Sequence, residues 1–202
     1  MPIKQPEDAL TLRLAQPEDV PGILAIYARY IDTTITFEYG LPTLEVFARR
    51  MAAIAATYPV LVAEWGGRLV GYAYAHPYRE REAYQWGAEL SVYLHPDDTD
   101  RGAGSALYRG LMALLKAQNV CVVYGAVTGG NEISVRFHEK LGFRLFATFR
   151  DTGYKNGQWL DVLWYERQIA EFMATPAPLV PIDKLDKPLI RRLLDEAAGR
   201  GN

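Results

Sequence analysis

Only one of the 202 residues is cysteine, Cys121, so no intramolecular disulfide can staple the chain. That scarcity, with no signal-peptide pattern, makes a cytoplasmic protein the expectation. Histidine is also scarce: His76, His95 and His138 stand at no metal-ligand spacing, and no metal is expected. A run of roughly 18 apolar residues, the minimum for a membrane helix, does not occur. Charge of neither sign dominates: 22 Lys and Arg face 24 Asp and Glu, for a formal net charge of −2. Without a basic stripe, neither nucleic acid nor a membrane is an expected partner. Internal repeats and low-complexity segments are absent too. What remains is one domain, or one domain with an appendage, long enough to bury a core unaided.

The most informative stretch is Thr99 to Ser105, Thr-Asp-Arg-Gly-Ala-Gly-Ser. Gly102 and Gly104 leave backbone N–H groups uncovered where a helix begins. The helix aims its own unpaired N–H groups and positive dipole end at the same spot. Thr99, Asp100, Arg101, Gly102, Ala103, Gly104 and Ser105 thus form a candidate cradle for a phosphate or pyrophosphate; a plain tight turn is the other reading. Before it, Trp86 to His95 alternates as a strand, with Ala88, Leu90, Val92 and Leu94 on one face and Glu89, Ser91, Tyr93 and His95 on the other. After it, Gly104 to Lys116 carries Leu107, Leu111, Leu114 and Leu115 on one helical face. Val120 to Val127 follows, apolar nearly throughout, as in a strand buried on both faces. Such a βαβ unit has parallel strands and binds ligands near their carboxyl ends. It is neither a Rossmann fingerprint, for lack of a third glycine at Arg101 or Leu107, nor a Walker loop, for lack of Gly-Lys-Ser/Thr.

Leu10 to Ala15 reads as a first strand, and a helix from Gln16 to about Tyr30 follows it. A loop covers Thr33 to Gly40, and a helix runs from Pro42-Thr43 to about Tyr58. Pro59 to Trp65 and Arg68 to Ala75 pair around Gly66-Gly67. Asn131 to Leu141 is helical and ends at Gly142. Phe143 to Thr152 and Gln158 to Gln168 form a hairpin about Asn156-Gly157. The expected fold is α/β (α+β), with a mixed, mostly antiparallel central sheet and helices on both faces. Residues 1–170 form the domain. Residues 171–202 are a proline-rich linker (Thr175-Pro176-Ala177-Pro178 and Pro181) and an amphipathic helix, Pro188 to Ala198, with a Leu189, Ile190, Leu193, Leu194 and Ala197 stripe. That stripe packs on its own domain or on a partner subunit.

Thr99-x-x-Gly102-x-Gly104 resembles the acetyl-CoA pyrophosphate turn of the GNAT superfamily of N-acetyltransferases, with Thr99 in place of the usual Gln or Arg. Asn131-x-x-Ser134-x-x-x-His138-x-x-x-Gly142-Phe143 is similar to a second pattern of that superfamily, with His138 in place of its tyrosine. Pro77 to Trp86, Ala88-Glu89, Arg136 to Glu139, Tyr154 to Gly157 and Tyr30 to Phe37 resemble the phosphinothricin acetyltransferase branch. The resemblance spans about residues 10 to 170. It implies the GNAT acyl-CoA N-acyltransferase fold, acetyl-CoA as co-substrate, a small amino-acid-like amine as acceptor, and a homodimer.

Acetyl transfer from a thioester to an amine needs a neutral amine, a polarised carbonyl and a protonated leaving thiolate. Glu89 is the candidate base, acting directly or through a water; a surface carboxylate is the alternative. A backbone N–H near Ser91, Val92 and Tyr93 would hold the carbonyl. Asn131, Ser134 and His138 share one helix face. Asn131 and Ser134 would bond the cofactor, and an imidazolium at His138 would protonate the thiolate, unless His138 is a satisfied core histidine. The resemblance puts Arg79, Arg81, Tyr84 and Lys155 around an anionic substrate, against a solvated charge run as the bland alternative. Thr34, Phe37 and Glu38 would wall the same pocket. Two other functions stay open at this point: acetylation of a different amine (a polyamine, an aminoglycoside or a protein N-terminus), and CoA binding without catalysis.

Overall fold

The computed structural model describes residues 9–200. Its strands are β1 (Leu10–Leu14), β2 (Val60–Trp65), β3 (Arg68–Pro77), β4 (Gly87–Leu94), β5 (Val122–Thr128), β6 (Arg144–Lys155) and β7 (Gln158–Gln168). Its helices are α1 (Val20–Ala28), α2 (Leu44–Ala55), α3 (Ala103–Ala117), α4 (Glu132–Lys140) and α5 (Lys187–Ala197). The sheet order is β1-β2-β3-β4-β5-β7-β6. Only β4 and β5 run parallel, joined through α3 as the βαβ reading expects. Asn156 (φ 51°) and Gly157 (φ 79°) make the tight β6–β7 turn, where two left-handed residues match the twist of the paired strands.

Two cores sandwich the sheet. On one face α3 buries Leu107, Leu111, Leu114 and Leu115 against Leu61, Val70, Leu90 and Val123. On the other, α1 and α2 bring Ile23, Ile26, Phe47 and Met51 onto Val60, Val62 and Tyr72. The expected helix from Gln16 to Tyr30 is shorter. A 3-10 turn, Pro17–Asp19, precedes α1, and the Asp19 carboxylate is held by Arg13 at 2.6 and 2.8 Å.

β5 departs from the expectation of burial on both faces. Val123 and Val127 are buried, whereas Val122 and Tyr124 are half-buried and Ala126 is exposed. α1 and α2 lie over β2, β3 and β4, so the β5–β7 end of that face has no helix above it. Phe146, Phe149, Tyr154 and Trp159 of the hairpin are exposed in the same region of the sheet.

The tail folds back on its own subunit. Ile190, Leu194 and Ala197 of α5 enter the α3-side core. A Cβ at Gly110 would lie 3.1 Å from Leu194 Cδ2 and 3.2 Å from Leu61 Cδ1, so the bare backbone there lets α5 approach α3.

Candidate active site

β4 and β5 pair only at Gly87↔Val122, Ala88↔Val123 and Glu89↔Tyr124, then separate. Beyond Glu89 the β5-facing edge of β4 has no strand partner. The gap holds a small cavity of about 70 Å³. Leu90, Ser91, Val92 and Tyr93 line it from β4, and Ala126, Val127 and Thr128 from β5. Asn131, Ser134 and His138 close it from α4, and Tyr108 from α3. The structure thus brings together Ser91, Val92, Tyr93, Asn131, Ser134 and His138, as the sequence patterns expected. Asn131 is also the N-cap of α4, accepting from Ser134 N at 3.1 Å.

The glycine turn stands at the α3 end of this gap. Gly102 is the N-cap at φ 89°, and a Cβ there would meet nothing within 4 Å, which leaves the cradle open to a ligand. Close packing gives Gly104 a further reason to be glycine, since its Cβ would come within 3.3 Å of Leu94 and 3.4 Å of Phe137. Ala103 is buried, Ser105 half-buried, and Asp100 (φ 61°) exposed. Thr99 donates its hydroxyl to Pro96 O at 3.3 Å. Arg101 does not face the cradle as expected. Its guanidinium bonds Asp98 at 3.2 Å and lies 4.7 Å from the Trp65 ring centre, because the buried Asp98 carboxylate needs cationic partners.

Glu89 sits half-buried opposite His76 across the β3–β4 ladder, with Oε1 3.8 Å from His76 Nε2. Burial raises the Glu89 pKa from its ordinary value, and the neighbouring His76 opposes that rise. A raised pKa makes the carboxylate a stronger proton acceptor than a solvated one. His76 was not singled out for this role in the sequence, because residues 78–86 separate β3 from β4 and no tight turn fixes their register.

His138 is buried, with Nδ1 2.8 Å from Ser134 O and Nε2 3.2 Å from the Tyr108 hydroxyl. A carbonyl can only accept, so the network assigns the proton to Nδ1 and leaves Nε2 as an acceptor. Burial lowers the His138 pKa, so the resting form is neutral imidazole and not the expected imidazolium. The hydroxyl in the gap belongs to Tyr108, which lies 3.3 Å from Leu90 O and is kept protonated chiefly by burial. The sequence signal for Tyr108 was faint: a tyrosine beside the Leu107–Leu111 face, whose buried hydroxyl requires a partner.

The segment between β3 and β4 carries Arg79, Arg81 and Tyr84, all exposed. Arg79 lies 5.2 Å from the Tyr78 ring centre, and Tyr78 stacks on Tyr124 at 4.1 Å, next to the Glu89 register. Lys155 does not join this group. It is 3 % exposed, and its ammonium donates to Ile31 O and Thr36 O at 2.6 Å each. Those carbonyls end the segment that carries Thr34, so Lys155 pins a loop and meets no anion. Thr34 is half-buried, Phe37 lies against Gly153, and Glu38 pairs with Arg50. Among the described residues no group of three or more His, Cys, Asp or Glu could hold a metal, and no helix is long and apolar enough to cross a membrane.

Comparison with known proteins agrees with this geometry. Residues 12–164 match the family described as an acetyltransferase (GNAT) domain. The chain is 35% identical over 175 residues to phosphinothricin N-acetyltransferase of Streptomyces viridochromogenes, covering 86% of this chain and 95% of that one. It is 32% identical to L-methionine sulfoximine/L-methionine sulfone acetyltransferase of Pseudomonas paraeruginosa, covering 82% and 98%. A crystal structure of a phosphinothricin acetyltransferase from Sinorhizobium meliloti in complex with acetyl-CoA is similar at a TM-score of 0.79 and 34% identity, covering 84% of this chain and 94% of that one. The family match takes in both walls of the gap, and the chain belongs to the GNAT family of N-acetyltransferases, enzymes that draw their acetyl group from acetyl-CoA.

Proposed function

We propose that this enzyme acetylates the amino group of a small anionic amino-acid analogue of the phosphinothricin, methionine sulfoximine or methionine sulfone type. The observation that carries the reading is the β4–β5 gap itself, with the half-buried Glu89 carboxylate at its last paired residue and a hydroxyl–imidazole pair on its helix side. Glu89 takes the proton of the attacking amine, directly or through a water. The unpaired edge of β4 around Ser91 to Tyr93 offers main-chain N–H to the carbonyl oxygen as it gains charge. The Tyr108 hydroxyl turns its one O–H from His138 Nε2 to the leaving sulfur and stabilises the thiolate by a hydrogen bond. Asn131, Ser134 and the open N-terminus of α3 at Gly102 hold the acetyl donor. Arg79 and Arg81 meet the carboxylate and the phosphinate or sulfone oxygens of the acceptor, with Tyr84, Thr34 and Phe37 beside them.

Two further elements belong to this reading. The uncovered β5–β7 face, with Phe146, Phe149 and Trp159 exposed, suits an isologous homodimer, since exposed aromatic surface of this kind marks an interface. The cellular setting is cytoplasmic, in keeping with the lone buried cysteine. The test is a screen of amino acids, their phosphinate and sulfone analogues, polyamines and aminoglycosides, read as free thiol released from acetyl-CoA. Turnover confined to the polyamines or aminoglycosides would reject the anionic acceptor.

A further inference from the structure

The chain after β7 runs back beneath the segment that carries Arg79, Arg81 and Tyr84, and two of its main-chain groups hold that segment. Trp86 donates Nε1–H to Ala177 O at 2.8 Å. Leu179 N donates to Gln85 Oε1 at 2.9 Å. Both loop residues stand at the exit of the segment, directly before β4, where Trp86 O also accepts from Cys121 N at 2.8 Å.

The strap is itself firmly anchored. Asn119 Nδ2 donates to Pro178 O at 2.8 Å. Gln118, fully buried, donates Nε2 to Thr57 O at 2.7 Å and to Val180 O at 2.8 Å. Val180 N returns a bond to Gln118 O at 3.0 Å, and Ile182 N bonds Thr57 O at 3.0 Å. Beyond it, α5 is sealed into the core through Ile190 and Leu194.

Phe172, Met173 and Pro176 of the strap and Tyr78, Ala83 and Tyr84 of the loop line a common cavity of about 210 Å³, so packing between strap and loop is incomplete there. The hydrogen bonds at Gln85 and Trp86 are polar contacts by which the strap holds the loop.

The geometry points to the C-terminal strap as a positioning element for the acceptor substrate, with Ala177 and Leu179 holding Gln85 and Trp86 so that Arg79, Arg81 and Tyr84 are presented at the Glu89 face. This rests on the reading of that loop as the acceptor-binding segment. Proline-rich chain suits the task, because its backbone loses little further freedom when the loop is held against it.

The test uses the full chain with Trp86→Phe, Gln85→Ala and the double variant. Each keeps the strap and α5 in place and removes a bond to the loop. Loss of both bonds is expected to raise KM for the amine about tenfold. KM for acetyl-CoA and kcat should stay within about twofold of the native values. Amide exchange of residues 79–86 should quicken, with that of α5 unchanged. Gln85→Ala alone, at a half-exposed side chain, carries the test if Trp86→Phe lowers the yield. Arg79→Ala with Arg81→Ala separates the two ideas. If those arginines leave the amine KM unmoved, the acceptor assignment of the loop is wrong and the strap's role goes with it. If they raise it while the double variant does not, or if the double variant raises both KM values alike, the strap is merely structural.

Discussion

Glu89→Gln separates catalysis from stability in opposite directions, which makes it the sharpest test of the proposed base. The amide keeps the size of the side chain and loses its ability to accept a proton. A positioned general base is worth ~10²–10⁴ in rate, or about 3–5 kcal/mol of barrier at ~1.36 kcal/mol per tenfold. Turnover of a phosphinothricin-type amine at pH 7 should fall by that factor, and acetyl-CoA binding should barely change. In the native enzyme, kcat/KM should decline as pH falls through the raised Glu89 pKa, at a pH above the ordinary carboxylate value of 4.5. The variant should lose that limb and regain part of its rate at high pH, where the amine deprotonates unaided.

Stability moves the other way. As pH rises past 4.5 the unfolded state releases the Glu89 proton first, while the folded state, whose pKa burial has raised, still holds it. The folded state then binds more protons, so stability falls with rising pH across that window, and above it the cost of a buried charge persists. Glu89→Gln removes this cost. The variant should therefore melt higher than the native chain at pH 8, and the two should converge below about pH 4. Stopped-assay thiol release and thermal melts at four or five pH values read both effects. An unchanged rate at pH 7 would remove Glu89 from the mechanism. A lowered melting temperature at pH 8 would refute the burial argument.

Three other outcomes test the remaining parts. Acetyl-CoA at about 100 times its Kd should stabilise the native chain by ~2.7 kcal/mol, seen as a rise in melting temperature, and Gly102→Asp should abolish the rise by setting a carboxylate in the cradle; no shift in the native chain would sink the cradle assignment. Leu194→Ala, at a buried α5 position against Gly110, should cost ~2–5 kcal/mol in urea unfolding and leave turnover per folded molecule unchanged. Phe149→Asp, on the uncovered sheet face, should convert a dimer to a monomer by light scattering, whereas a native chain that is already monomeric would overturn the proposed assembly.

Signals that act over a few residues were legible. Alternation in β4, the leucine face of α3 and the Asn156-Gly157 turn each rest on neighbours within one or two turns of chain, and each appears where the sequence put it. The parallel β4–β5 pair followed from the handedness of a βαβ crossover. Contacts distant in sequence were not legible in the same way. Lys155 reads as a cation for a substrate until the fold brings the Ile31 and Thr36 carbonyls to it, 124 and 119 residues away. Arg101 reads as a phosphate ligand until Trp65 and Asp98 claim it.

The sequence by itself determined the order of elements, the open glycine turn and the carboxylate that faces away from the core, because period and backbone freedom are properties of a short stretch of chain. Tertiary structure alone decided which polar groups were left free for chemistry. It took Lys155 and Arg101 for internal bonds, joined Tyr108 to His138, set His76 across from Glu89, and left one face of β5 bare. A buried polar group must find its partner wherever the fold supplies one, and that partner is chosen by packing in three dimensions rather than by its neighbours along the chain.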